Sequence, residues 1–154
     1  MKFADLLNSK AVKAVTTVSS KKRLMHDIAD VAESAYGISA QRAIEALLER
    51  ESLGPTGVGH GVALPHARLD CVESVVGVFI LLEKPIDFDA IDRQPVDVIF
   101  ALFAPEDAGV EHLKALALVS RTLRDQNFCS KLRANPDPST LHTIITEAAS
   151  VQAA

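Results

Sequence analysis

Apolar residues recur at helical spacing in several stretches of the chain and run almost unbroken in two others. Between Ser20 and Ala35, Leu24, Ile28, Val31 and Ala35 fall at i, i+4, i+7 and i+11, with Lys22, Arg23, Asp27 and Asp30 on other faces. This predicts an amphipathic helix ended by Gly37. Ser39 stands where an N-cap belongs, before Ala40, Ala43, Ile44, Leu47 and Leu48, and predicts a second helix running to about Glu51. After Pro105, His112, Leu116, Val119 and Leu123 form a third stripe. Phe128–Arg133 predicts a short helix, and Ser139–Ala149 a terminal one beyond Pro136 and Pro138.

Val75–Leu82 and Val96–Phe103 are nearly continuous apolar runs, rich in Val, Ile and Phe and without internal Pro. Such runs predict strands covered on both faces, and hence a sheet with helices on each side: an α/β fold. Pro85–Asp92 mixes turn formers with isolated apolar residues and reads as a connection with room for a short edge strand. No repeat or low-complexity linker interrupts the pattern, and 154 residues suit one domain with a single core.

Composition narrows the function classes. No apolar stretch reaches the roughly 18 residues of a membrane span, and Met1–Leu7 lacks the pattern of a secretory signal, so a cytoplasmic location is expected, without membrane insertion. Cys71 and Cys129 have no metal or redox spacing and are read as free thiols. A net charge of −4 and one short basic cluster, Lys21-Lys22-Arg23, give little support to nucleic-acid binding.

Four of the seven glycines lie between Gly54 and Gly61, so a loop with unusual backbone freedom is expected there. It leads into Val62-Ala63-Leu64-Pro65-His66, where Pro65 biases Leu64 toward an extended conformation and His66 is expected at the end of a short strand. Thr56, Gly57, Gly59, His60 and Gly61 could offer backbone N–H groups to an anion, and His66 a nucleophilic imidazole nitrogen whose phosphoramidate stays transferable. A histidine satisfied at a strand end is the plainer reading of His66. Arg50, in the last turn of its helix, could reach the loop and bind phosphoryl oxygens, or simply answer the helix dipole. His112 opens the buried face of its helix, where it could hydrogen-bond a phosphate oxygen or serve as an ordinary core residue. His26 and His142 read as ordinary helix positions.

Gly59-His60-Gly61-Val62-Ala63-Leu64-Pro65-His66-Ala67, with Glu51 at the right spacing before it, resembles the phosphorylation-site motif of the mannitol/fructose class of EIIA proteins of the bacterial phosphotransferase system. The block Phe88–Leu102 is similar to the nitrogen-regulatory branch, and with Glu111-His112-Leu113 the resemblance covers nearly the whole chain. It implies a mixed β-sheet flanked by helices and one phosphoryl-carrier domain over residues 1–154, with a core from about 5 to 148. It also implies that His66 is the phosphorylated residue, that Arg50 and His112 line the same site, and that no cofactor is needed. His60 departs from the family pattern, where Asn is usual.

The same resemblance implies partners: a histidine-phosphorylated carrier protein as donor, and regulated targets such as potassium-transport and sensor proteins. Three other readings stand beside it. A sugar-transport EIIA would pass its phosphate to a cysteine on a separate EIIB protein. His60, His66 and His112 could form a metal site, although no carboxylate has a ligand spacing to them. A pure binding module would use the charge of a phosphate, about −1.5 to −2, to admit or repel a partner.

Overall fold

The computed structural model describes residues 1–147 in full and the backbone of the last helix as far as residue 153; Ala154 lies outside the described residues. The chain opens with α1 (Phe3–Leu6), a 3-10 turn (Ser9–Ala11) and β1 (Val12–Val15), then the helices α2 (Lys21–Tyr36) and α3 (Ala40–Ser52). Five strands follow: β2 (Gly57–Gly59), β3 (Val62–Ala63), β4 (His66–Leu69), β5 (Val76–Ile86) and β6 (Val96–Pro105). α4 (Gly109–Leu123), α5 (Gln126–Arg133) and α6 (Pro138–Ala153) complete the fold. The side chains at the end of the terminal helix expected over Ser139–Ala149 fall outside the described residues.

The six strands form one mixed sheet in the order β1-β5-β6-β3-β2, with β4 also paired to β6. β5 and β6 are antiparallel, and β1, β3 and β4 join them in parallel. Val78–Leu82 and Val98–Pro105 are buried residue after residue. Because successive strand side chains point to opposite faces, that burial means both faces are covered, as the unbroken apolar runs require.

Ser20 and Ser39 cap α2 and α3, their hydroxyls accepting from the N–H groups of Arg23 and Arg42 at 3.1 and 3.4 Å. Gly37 closes α2 at φ +73°. Within the core, Phe100 packs against Phe3 and Phe79 with ring centroids 5.6 and 6.2 Å away. Gly77 makes room for it, since a Cβ there would stand 2.6 Å from Phe100 Cε1.

One element is new and two expectations change. Val12–Val15, which carries no assignment from the sequence, forms the edge strand β1 against β5. Pro85–Asp92 holds no separate edge strand; β5 itself continues past a register shift to Ile86, which pairs with Val96. The segment expected as one strand ending at His66 is broken at Leu64-Pro65, and His66 instead opens β4. Pro65 has no N–H for the ladder, while its carbonyl accepts from Leu102 N at 2.9 Å, so β3 and β4 follow β6 as two pieces.

Candidate functional site

α3 delivers Arg50 in its last turn, and β4 begins directly opposite with His66. The Leu64 carbonyl lies 2.9 Å from His66 Nδ1. A carbonyl only accepts, so Nδ1 carries the proton and Nε2 keeps the lone pair. Arg50 donates its Nε–H toward that Nε2 at 3.3 Å, and a second N–H, from Nη1, to the Gly54 carbonyl at 2.9 Å. The imidazole is half-buried, with its nucleophilic nitrogen beside a cation.

α4 contributes His112, which is 4% exposed. Its ring meets that of His66 edge-on, centroids 5.5 Å apart and planes at 68°. Arg68 donates Nε–H to His112 Nδ1 at 3.2 Å, and Nη1–H to the Glu106 carbonyl at 3.4 Å. The neutral ring therefore carries its proton on Nε2. That nitrogen is buried and, among the described residues, has no hydrogen-bond partner. Arg50, His66, Arg68 and His112 share one open cleft of about 440 Å³, rimmed by Leu53 and Leu113, which are 80% and 64% exposed.

Both imidazoles are held neutral. Burial lowers the His66 pKa and Arg50 adds to the effect, against the Leu64 carbonyl and Glu51, which favour the protonated ring. His112 is pushed down to about 4, first by burial, then by the neighbouring His66 and Arg68. Two neutral rings, one offering a lone pair and the other an unpaired N–H, flanked by two guanidinium groups, suit capture of a tetrahedral oxyanion.

The expected glycine cradle is not part of this cleft. Gly57 and Gly59 lie on β2, and His60-Gly61 forms the turn to β3. His60 sits at φ +55°, its N–H bound to Asp92 Oδ2 at 2.9 Å and its carbonyl accepting from Arg133 Nη2 at 3.1 Å. Gly61, at φ +81°, has Arg133 Nη2 only 2.6 Å from where a Cβ would stand. Gly59 and His60 line a separate cavity of about 140 Å³ beside Ser120 and Arg124. The glycines serve a tight hairpin and the close passage of Arg133, while buried Thr56 is bound to Glu51. His60 is thus parted from His66 and His112, and no group of three or more His, Cys, Asp or Glu among the described residues could hold a metal ion.

Sequence reasoning passed over Arg68, although its position two residues beyond His66 on an extended segment places it on the same side of the strand. It also left Glu51 as a spacing landmark only. Glu51 accepts from Thr56 N at 2.9 Å, from the Thr56 hydroxyl and from Lys21 Nζ at 2.9 Å.

This fold and site define a class that comparison bears out: residues 5–148 match the family described as phosphoenolpyruvate-dependent sugar phosphotransferase system, EIIA 2. The chain belongs to this family, and within it to the nitrogen-regulatory type. It is 43% identical to the nitrogen regulatory protein of Bradyrhizobium diazoefficiens over 145 residues, which is 94% of this chain and 95% of that one. It is 40% identical to the nitrogen regulatory protein of Escherichia coli K12 over 148 residues, 96% of this chain and 91% of the relative. The crystal structure of nitrogen regulatory protein IIA-Ntr from Neisseria meningitidis superposes with a TM-score of 0.86 at 34% identity, covering 92% of this chain and 97% of that one. Among the described residues no helix is long and apolar enough to cross a membrane.

Proposed function

We propose that this chain is a phosphoryl carrier of the nitrogen-type phosphotransferase system: His66 accepts a phosphoryl group from a histidine-phosphorylated carrier protein, and the phosphorylation state governs partner proteins. The observation that carries the reading is the meeting, in one cleft, of a lone pair on His66 Nε2 with the Arg50 Nε–H, the ring of His112 standing edge-on beside them.

The transfer runs in line between two imidazoles. As the His66 Nε2 lone pair forms its bond to phosphorus, the donor's N–P bond breaks and its electron pair returns to the donor ring. Positive charge appearing on the His66 ring is stabilised at Nδ1–H by the Leu64 carbonyl. Arg50 hands its Nε–H from the attacked nitrogen to the incoming oxygens while its Nη1–H stays on Gly54. His112 donates its Nε2–H to another oxygen. Positioning and fixed charge supply the acceleration, because little other covalent chemistry is needed. The phosphoramidate remains activated for return or onward transfer.

The downstream partners belong to the same proposal. The nitrogen-regulatory relatives favour regulated proteins over a sugar-specific EIIB cysteine, and potassium-transport and sensor proteins are the targets that the family resemblance implies. The test is incubation of the purified chain with the phosphorylated carrier and mapping of the acid-labile phosphate. Label on wild type that is lost in His66→Ala supports the proposal, and label that persists refutes it. Rapid passage of the label to an EIIB cysteine would assign the sugar-type role instead.

A further inference from the structure

Resting on the reading of His66 as phosphoryl acceptor, we propose that Glu51 is a positioning residue: its carboxylate clamps Thr56, and the clamp sets the two backbone carbonyls that orient His66 and Arg50. Glu51 directly follows Arg50, yet its side chain, 8% exposed, is turned toward Thr56 and Lys21. One carboxylate oxygen takes the Thr56 hydroxyl, and the other takes Thr56 N–H and Lys21 Nζ, both at 2.9 Å.

From Thr56 the chain of bonds continues to the nucleophile. The Thr56 carbonyl accepts from Leu64 N–H at 2.9 Å, and the Leu64 carbonyl accepts from His66 Nδ1–H at 2.9 Å. The first link joins main chain to main chain and the second joins main chain to the ring, so a displacement of Thr56 moves the acceptor that selects the His66 tautomer. A second branch leaves the same clamp. The turn closed between Glu51 and Thr56 contains Gly54, whose N–H binds the Glu51 carbonyl at 3.2 Å and whose carbonyl holds Arg50 Nη1 at 2.9 Å. Glu51 therefore stands behind both partners of the Arg50–His66 contact without touching either ring or guanidinium.

Lys21 explains why a carboxylate can do this beside an arginine. Its ammonium lies 2.9 Å from Glu51, 3.5 Å from Asp89 and 4.7 Å from the centre of the Phe88 ring, so the Glu51 charge is met by a cation that does not line the cleft. Arg50 is left free to serve the imidazole.

Thr56→Val removes the hydroxyl donor at nearly constant volume and keeps the Glu51 charge; Glu51→Gln keeps the shape and removes the charge; Thr56→Ser is the conservative control. Two readouts are taken on each full-length variant: kcat and KM for transfer from the phosphorylated carrier, and ring nitrogen NMR of unphosphorylated His66 across pH. Expected are a fall in kcat of about ten-fold at unchanged KM in Thr56→Val and Glu51→Gln, a mixed His66 tautomer, and restoration of both by Thr56→Ser. In Thr56→Val the His66 titration midpoint moves down, because the Leu64 bond that favours the protonated ring loosens while Glu51 is still charged. Wild-type kcat together with wild-type tautomer and titration in Thr56→Val overturns the inference, whether or not Glu51→Gln folds. Should wild type take no phosphate on His66, the acceptor reading falls, and the ring spectra alone decide whether Glu51 and Thr56 position the imidazole.

Discussion

The Leu64 carbonyl takes the Nδ1 proton of His66 at 2.9 Å, so a backbone atom two residues before the ring decides which ring nitrogen is the nucleophile. Pro65, between them, commits its own carbonyl to Leu102 and withholds an N–H. Leu64 is thereby left extended, with its oxygen available to the ring. The tautomer is set at the ring by a backbone carbonyl and not by a carboxylate bonded to the imidazole.

Arg50 is the cation closest to that nucleophile, and its forked donors are matched to phosphoryl oxygens. Arg50→Ala lowers the rate of phosphoryl acceptance by about 100-fold. Arg50→Lys restores only part of it, because one ammonium cannot hold Gly54 and the phosphoryl group together. Rapid-quench transfer kinetics check both.

His112 makes stability depend on pH with a defined sign. Its folded pKa, about 4, lies below its unfolded value near 6.5, so the unfolded chain binds more protons between the two. The contribution is complete above about pH 6.5, declines as pH falls, and is exhausted below about pH 4. His66, also lowered, acts in the same direction. Denaturation profiles of His112→Asn are flatter across this window than those of wild type by about 1–3 kcal/mol.

His60 holds a left-handed turn and lines a different cavity from His66. His60→Asn, which suits that conformation, keeps phosphoryl acceptance within about two-fold of wild type and leaves stability equal or slightly higher. A ten-fold loss in the transfer assay would place the hairpin in the site after all.

Gly77 faces the ring of Phe100 at a distance no Cβ tolerates. Gly77→Ala therefore overpacks the core and costs about 1–3 kcal/mol in chemical denaturation. The fraction that remains folded accepts phosphate normally, since the collision lies in the core and not at the cleft.

The two long strands and the helices α2 to α5 were legible because burial on one stripe, or on both faces, leaves a periodic trace in sequence. Val12–Val15 left none: four residues at a sheet edge are too few to show a period. Arg50, His66 and His112 could be read as candidates from residue type and spacing, and the fold brings them together. The glycine loop misled for a physical reason, since tight hairpins and anion cradles ask for the same backbone freedom. Only the Asp92 and Arg133 contacts separate the two uses. The spacing of Arg68 from His66 places it on the same side of the strand, but its bond to His112, forty-four residues away, leaves no trace in sequence, and the Glu51–Thr56 clamp depends on how the chain turns after α3.

The central claim is that His66 Nε2 accepts the phosphoryl group, and long-range ring-nitrogen NMR of the protein phosphorylated by its carrier tests it directly. The account expects the Nε2 resonance of His66 to shift and couple to phosphorus while Nδ1 keeps its proton and none of the other four histidines couples to phosphorus. Phosphorus on Nδ1, or on any other histidine, would contradict it.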